Sequence, residues 1–311
     1  MQWFLKQLSL SGNGYYDWRH RYGKDNIAQQ LQPKSHWLSV AEREEIVEFS
    51  RNNPHEGYRR LSYMMLDEEL VAASPSTVYR VLLEANMLNE ALGAPSQKGS
   101  GFDQPSKPHS QWHSDISYIN IAGTFFYFIS VLDGYSRYIV HWELRSSMGD
   151  YDVQMVVQKA CEKYPGARPR LISDNGEQYT SHDFKKFIRS LELTQTTTSP
   201  YYPQSNGKIE RFHRTLKSDG IKHGDLLSLE LATARMTKYI EYYNEKRLHS
   251  AIDYVTPLDK LKGREDLVFE VRRAFLARGK ASRVARFEQK NNFAQNIAAN
   301  MHNLGDNVNR A

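Results

Sequence analysis

Apolar positions divide the chain into three regimes. Between residues 39 and 90 they recur at helical spacing. Ser39-Val40-Ala41-Glu42 reads as a capping box, with Ile46 and Phe49 following on one face. A second helix is predicted near 57–70, with Leu61, Met64 and Met65 on one side. A third follows Ser74-Pro75, an N-cap and a first-turn proline, with Val78, Val81 and Leu82 as its buried stripe. Helix, tight turn and capped helix is the order of a helix-turn-helix; a plain three-helix bundle fits the same pattern. Residues 93–110, rich in Gly, Pro, Ser and Gln, read as a linker.

From residue 112 the period becomes two. Strands are predicted at 112–119, 124–132 and 137–144, with Gly123 marking the first turn and Asp133-Gly134 the second. Then come a helix at 151–164, a strand at 169–174 ending in Asp174-Asn175-Gly176, and a helix at 181–191. A Thr-rich strand at 193–199, a loop at 200–206 and a long helix from Ser205 or Asn206 complete the series. Three antiparallel strands followed by alternating helix and strand define a mixed-sheet α/β domain. The organisation expected is a polar, aromatic lead-in (1–36, with Tyr15, Tyr16, Trp18 and Tyr22), a helical domain (37–92), the linker (93–110), the α/β domain (111–262) and a helical tail (263–311).

Composition narrows the function classes. No apolar run approaches the roughly 18 residues of a membrane span. The start, Met1 to Leu5, lacks a basic segment followed by an apolar one, so a secretory signal is not expected. One cysteine, Cys161, excludes an internal disulfide or a multi-cysteine zinc site and fits a reducing, cytoplasmic home; Val156, Val157 and Ala160 around it predict a core position. The net charge is +5 and unevenly spread: residues 1–200 carry 21 Lys and Arg against 23 Asp and Glu, and residues 201–311 carry 20 against 13. Within the tail, residues 271–290 hold seven cations against Glu288 alone. A basic C-terminal third points to a polyanion partner, although basic faces are also simply solvated.

Three carboxylates stand where a metal site could form. Asp115 is predicted in mid-strand, Asp174 at the end of an apolar strand, and Glu210 in the first turns of a helix. A charge inside a buried strand costs several kcal/mol unless it is paired or bound to metal. Mg²⁺ supplies one explanation, since it takes oxygen ligands and keeps positions for water and phosphate. Each residue also has an ordinary reading: Asp174 as a turn cap before Asn175-Gly176, Asp115 as a turn cap too, though less fittingly in mid-strand, and Glu210 as a first-turn acid favoured by the helix dipole. Arg214 and Lys217 lie four and seven residues beyond Glu210, which predicts one helix face holding an acid and two cations.

The stretches Trp112-His113-Ser114-Asp115, Val131-Leu132-Asp133-Gly134-Tyr135-Ser136-Arg137 and Ser173-Asp174-Asn175-Gly176 carry a family resemblance. So do Pro200-Tyr201-Tyr202-Pro203-Gln204-Ser205-Asn206-Gly207-Lys208-Ile209-Glu210-Arg211-Phe212 and Tyr242-Tyr243-Asn244-Glu245-Lys246-Arg247-Leu248-His249-Ser250. Together they make residues 112–262 resemble the catalytic core of the retroviral-integrase superfamily. Within it, the likeness is to bacterial insertion-sequence transposases of the IS-three type, in the part made from their second reading frame. The resemblance implies an RNase H-like mixed-sheet core behind an N-terminal helix-turn-helix domain and places Asp115, Asp174 and Glu210 in a DDE triad. No leucine heptad is read before the core, so the chain is expected to be the second-frame product alone or a trimmed form of it. A single cysteine also rules out the His₂Cys₂ zinc module of retroviral integrases.

The activity implied is in-line phosphoryl transfer assisted by two Mg²⁺ ions, with Mn²⁺ as a substitute. It nicks the ends of an insertion element and joins the new 3′-hydroxyl to another strand. The partners expected are double-stranded DNA, both terminal repeats and target, and a second copy of the chain as homodimer or larger assembly, in the bacterial cytoplasm on the nucleoid and not on a membrane. Phosphates would meet Lys208, Arg211, Arg214 and Lys217; Tyr201, Tyr202 and Gln204 would form a loop over the site. Ser76, Thr77 and Arg80 would read base edges, and Arg283, Arg286 and Lys290 would form a phosphate-binding stripe. Asp133 is read as a turn residue, with metal ligation as its rival; His113 as packing, with a substrate-orienting role as its rival; His213 as DNA-facing, with metal ligation as its rival. Two other functions fit the same residues: a nuclease of this fold that does not join strands, and a transposase-derived DNA-binding regulator.

Overall fold

The computed structural model describes residues 5, 12–22, 34–88, 104–198, 206–221 and 226–308. Contacts group the chain into two units, Met1–Glu45 with Leu276–Ala311, and Ile46–Phe275. The helical pair and the sheet thus share one unit, whereas composition divides them at the linker.

In the first unit, α1 (Gly12–Arg21) carries Trp18, in edge contact with Tyr22 at 5.4 Å. Helix α2 (Val40–Asn52) starts on the predicted capping box: Ser39 N donates to Glu42 Oε2 at 2.8 Å, and Glu42 N donates to Ser39 Oγ at 3.3 Å. The same carboxylate accepts Nε of Arg283 at 2.9 Å from the last helix, α11 (Glu265–Val308), and this pairing holds Glu42 below the usual carboxylate range against the upward pull of burial.

In the second unit, α3 (Tyr58–Asp67) and α4 (Pro75–Glu84) pack their predicted faces together, burying Leu61, Met65, Leu66, Val78, Val81 and Leu82. Ser74 stands at the N-cap with extended backbone, but its hydroxyl meets those of Ser76 and Thr77, both at 3.0 Å, instead of a backbone N–H. Helix α3 is tied to the α/β domain. Arg60 Nε donates to Leu248 O at 2.9 Å, and Tyr63 stacks on Tyr254 at 4.6 Å.

The sheet holds β1 (Gln111–Ile121), β2 (Thr124–Asp133), β3 (Ile139–Arg145), β4 (Arg170–Ser173) and β5 (Thr194–Thr197), in the order β3-β2-β1-β4-β5. The first three are antiparallel; β4 runs parallel to β1, and β5 to β4. The β1–β2 turn is the two-residue Ala122-Gly123, both at positive φ, which matches the right-handed strand twist and suits glycine. Strand residues alternate between two cores. On one face Trp112, Ile129 and Val131 pack with α5 (Asp150–Lys163) and α7 (His182–Ser190), beyond the short α6 (Glu177–Thr180). Cys161 sits half-buried at the edge of this core.

On the other face Ile119, Phe128 and Leu132 pack with Ile209 and Phe212 of α8 (Gly207–Thr215) and with α9 (Leu229–Glu245). Helix α8 does not run on as the long helix expected: it widens into one π-turn, Leu216–Gly220. That turn ends where the Tyr239 ring closes in, since a Cβ on Gly220 would lie 2.7 Å from the Tyr239 ring. A 3₁₀ turn (Ser250–Ile252) and α10 (Pro257–Leu261) lead into α11.

Candidate active site

Register brings the two strand aspartates together. Gln111 pairs with Arg170, Trp112 with Leu171 and His113 with Ile172 across parallel strands β1 and β4. The same offset carried two residues further brings Asp174 level with Asp115. Asp115 lies on the α8 face of β1, half-buried, in the same alternation as His113 and Ile119. Asp174 follows the last residue of β4 and its Oδ1 accepts the Gly176 N–H at 3.0 Å, the cap that its sequence context predicts. Glu210 sits in the first turn of α8, the most exposed of the three.

Their charges act on one another. Burial and then the Asp115 charge raise the Asp174 carboxyl above its ordinary value, against the Gly176 N–H. Glu210 is raised by burial and by Asp115 and Asp174, with His213 and Arg214 opposing. Like charges within one another's field strain the ionised state, and a cation between them relieves it.

His213 is the side chain that sequence reasoning misplaced. It is not DNA-facing: it is buried, with Nδ1 3.2 Å from Asp115 Oδ2 and Nε2 2.8 Å from Ser130 Oγ. Ser130 is the cross-strand partner of Asp115, so the imidazole spans a β1–β2 pair. The signal was available. Ile209, Phe212, His213 and Leu216 form the inward stripe of the helix, and His213 falls inside it.

Lys208 needs the opposite correction. It turns under the helix start, where its Nζ donates to Gly134 O at 3.1 Å; burial and then Arg137 push the amine down to about 7. It is a packing residue of the β2–β3 turn and is not presented to a phosphate. Asp133 is the centre of that turn. Its carboxylate accepts the N–H groups of His109 and Ser136, both at 2.8 Å, and the Ser136 hydroxyl at 2.6 Å, which accounts for a fully buried acid without a metal. His113 is fully buried, and burial with Lys208 and Arg137 nearby pushes its imidazole down to about 3, so it packs as a neutral ring. A Cβ on Gly134 would come within 2.9 Å of that ring, so only glycine fits there.

Of the other candidates, Arg211 and Arg214 are exposed on α8, and Lys217 lies in the π-turn, so the regular α-helical face expected to carry it ends at Thr215. Ser76 and Arg80 are exposed at the start of α4, and Thr77 is half-buried. Tyr201, Tyr202 and Gln204 lie outside the described residues. The tail stripe is corrected: Arg283 is buried against Glu42, Arg286 is exposed with its guanidinium 3.7 Å from the same carboxylate, and Lys290 is exposed.

Residues 105–203 match the integrase core domain family, and residues 191–257 match a second integrase core domain family. A mixed five-stranded sheet with flanking helices and that match define the class, an RNase H-like polynucleotidyl-transferase core. The chain is 33% identical over 177 residues to the transposase for insertion sequence element IS904 of Lactococcus lactis, covering 53% of this chain and 69% of the relative. It is 27% identical over 225 residues to transposase InsD of insertion element IS2D of Escherichia coli, covering 68% of this chain and 75% of that one. Among solved structures, the catalytic core domain of BIV integrase aligns with a TM-score of 0.41 at 24% identity, covering 52% of this chain and 99% of that one. The chain belongs to the insertion-sequence DDE transposases of the retroviral-integrase superfamily. Among the described residues, no helix is long and apolar enough to cross a membrane.

Proposed function

We propose that Asp115, Asp174 and Glu210 are the acidic triad of this transposase, and that it nicks the ends of an insertion element and joins the freed 3′-hydroxyl to another DNA strand. The observation that supports the reading is that Asp115, on β1, and Asp174, just beyond the end of the parallel strand β4, lie close enough for the Asp115 charge to raise Asp174, with Glu210 inside their shared field. Three carboxylates are an oxygen-only donor set, the chemistry that Mg²⁺ takes, with Mn²⁺ as a substitute. Among the described residues no three acidic or imidazole groups already stand at the spacing that grips one ion, so the fit is one of donor type and charge. Two such ions, when bound, would supply charge stabilisation to the attacking and leaving oxygens of the displacement.

The chain's own groups do the rest. Arg211 and Arg214, exposed beside Glu210, bind phosphates and set the register of the DNA end; Lys217 continues that path. The exposed start of α4 reads the terminal repeat. Two element ends handled together call for a homodimer or larger assembly on DNA. The test is a strand-transfer assay with a labelled element end and a plasmid target, in Mg²⁺ and in Mn²⁺. Joined products from the wild type, and none from Asp115→Asn, Asp174→Asn or Glu210→Gln at unchanged end binding, are expected. Hydrolysis without joining would identify a nuclease, and binding without any cleavage a regulator.

A further inference from the structure

The buried imidazole of His213 has an arrangement that neither phosphate binding nor simple packing requires. Its two nitrogens meet two different strands: Nδ1 reaches Asp115 Oδ2 at 3.2 Å on β1, and Nε2 reaches Ser130 Oγ at 2.8 Å on β2. The ring is also set edge-on against Phe128, with centroids 5.5 Å apart at 81°. Three contacts therefore fix its position and rotation. In the tautomer with its proton on Nδ1 the ring faces the Asp115 carboxylate as a donor, and the Ser130 hydroxyl, able to donate or accept, completes the other side. The second Asp115 oxygen accepts the N–H of Ile116 at 2.9 Å, so both carboxylate oxygens are held from the side.

We propose that His213 is a positioning residue for the cation site: it fixes the Asp115 carboxylate and, through its place on α8, brings Glu210 to the same spot. Resting on the triad reading above, this inference adds a residue outside the three acids. His213 and Glu210 are one helical turn apart on α8, and the imidazole touches Asp115. A ligating carboxylate left unheld rotates, and losing such an outer contact typically weakens metal binding about 10–100-fold.

Two substitutions separate the contacts of the ring. In His213→Asn the amide nitrogen falls near Nδ1 and keeps a donor for Asp115; in His213→Gln the amide falls near Nε2 and keeps only the Ser130 side. Manganese binding to the full chain without DNA, measured by calorimetry, is the readout, with the metal-free melting temperature and circular dichroism as controls for the fold. His213→Asn should bind within about threefold of wild type, and His213→Gln about 10–100-fold more weakly. Equal affinities for the two variants would overturn the proposal. Should either variant fail to fold, Ser130→Ala keeps the imidazole and removes its anchor. A weakening of a few fold is then expected, and wild-type affinity would count against the anchored ring. Asp115→Asn separates the two levels of the argument: retained manganese binding there would remove the triad reading itself, whereas lost binding there with unaffected His213→Gln would remove only the role of His213.

Discussion

Arg272 and Asp67 form a two-pronged ion pair, Nε to Oδ1 and Nη2 to Oδ2, both at 2.7 Å, between the last helix and the first helix of the helix-turn-helix-like pair. The same guanidinium lies over the Tyr63 ring at 4.9 Å and donates to Tyr254 O at 2.7 Å. One side chain thus joins α3, α11 and the loop before α10. Parallel forked bonds with a stacked ring are a geometry that lysine cannot reproduce. Asp67 keeps partial contact with water, so the loss on removing Arg272 falls below that of a fully buried pair. Arg272→Ala should destabilise the chain by about 2 kcal/mol, and Arg272→Lys should recover less than half of it. Denaturant unfolding checks this; an unchanged midpoint for Arg272→Ala would show the pair to be ornamental.

The helix-turn-helix reading makes a separate prediction. Ser76 and Arg80 are exposed on the first turns of α4, and Arg80 is engaged only weakly, with Ser76 O at 3.3 Å and Thr77 Oγ1 at 3.4 Å. A side chain so placed is free to leave these contacts for a base edge. Arg80→Ala should then weaken binding to the terminal repeat by about 1–3 kcal/mol while leaving binding to unrelated DNA nearly unchanged. A fluorescence-anisotropy comparison of the two DNAs decides it. Equal losses on both would make Arg80 a phosphate contact, and no loss on either would favour the plain three-helix bundle.

Features written in short stretches of sequence were legible. The Ser39–Glu42 box, the helix start at Pro75, the Gly123 hairpin and the alternation through β1 and β2 each depend on neighbours a few residues away and formed as expected, the Ser74 side-chain cap alone excepted. Asp115 and Asp174 stood out because a charge in a buried strand needs a reason. What failed depended on residues far along the chain. Lys208 reads as a surface cation until the β2–β3 turn offers its carbonyl, and Arg283 reads as one until Glu42 arrives from the other end of the sequence. His213 was misread because a polar residue in a helical stripe was assigned to solvent, when its partners on two strands make burial favourable. The π-turn after Thr215 has no local sequence signature; its last residue, Gly220, lies close against the Tyr239 ring.

His249 predicts a pH dependence away from the acidic site. It caps the 3₁₀ turn, its Nδ1 accepting the Ala251 N–H at 3.3 Å, and burial together with Arg137, Arg247, Arg60 and Arg211 pushes it down to about 3. The unfolded chain takes up this proton as pH falls below the ordinary value of 6.5, while the folded chain does not. The stability held by neutral His249 is therefore complete above pH 6.5 and is lost as pH falls towards 3. Between those limits the group contributes a slope of about 1.4 kcal/mol per pH unit. His249→Asn keeps an acceptor for the cap and removes the titration, so its stability should fall less steeply from pH 6 to pH 4. Parallel curves for variant and wild type would mean that His249 is protonated in the folded chain.

The basic tail can be tested only after its internal pairs are set aside. Truncation at residue 270 would remove Arg272 from Asp67 and Arg283 from Glu42, so a change in DNA affinity would mix lost contacts with lost structure. Arg286 and Lys290 are the members of the proposed stripe that remain exposed, the first with a loose 3.7 Å approach to Glu42. If both meet DNA phosphates, each releases counterions on binding, and the slope of log affinity against log salt should become shallower by about 0.9 for each one neutralised. Arg286→Gln with Lys290→Gln should therefore reduce the slope by nearly two with little change in melting temperature, since a solvent-exposed ion pair contributes under about 1 kcal/mol. Arg283→Gln serves as the contrasting variant: it should lower stability by stripping Glu42 of its main partner, and any loss in affinity it causes should vanish when corrected for the folded fraction. A salt slope unaltered by the double substitution would leave these cations as solvated surface.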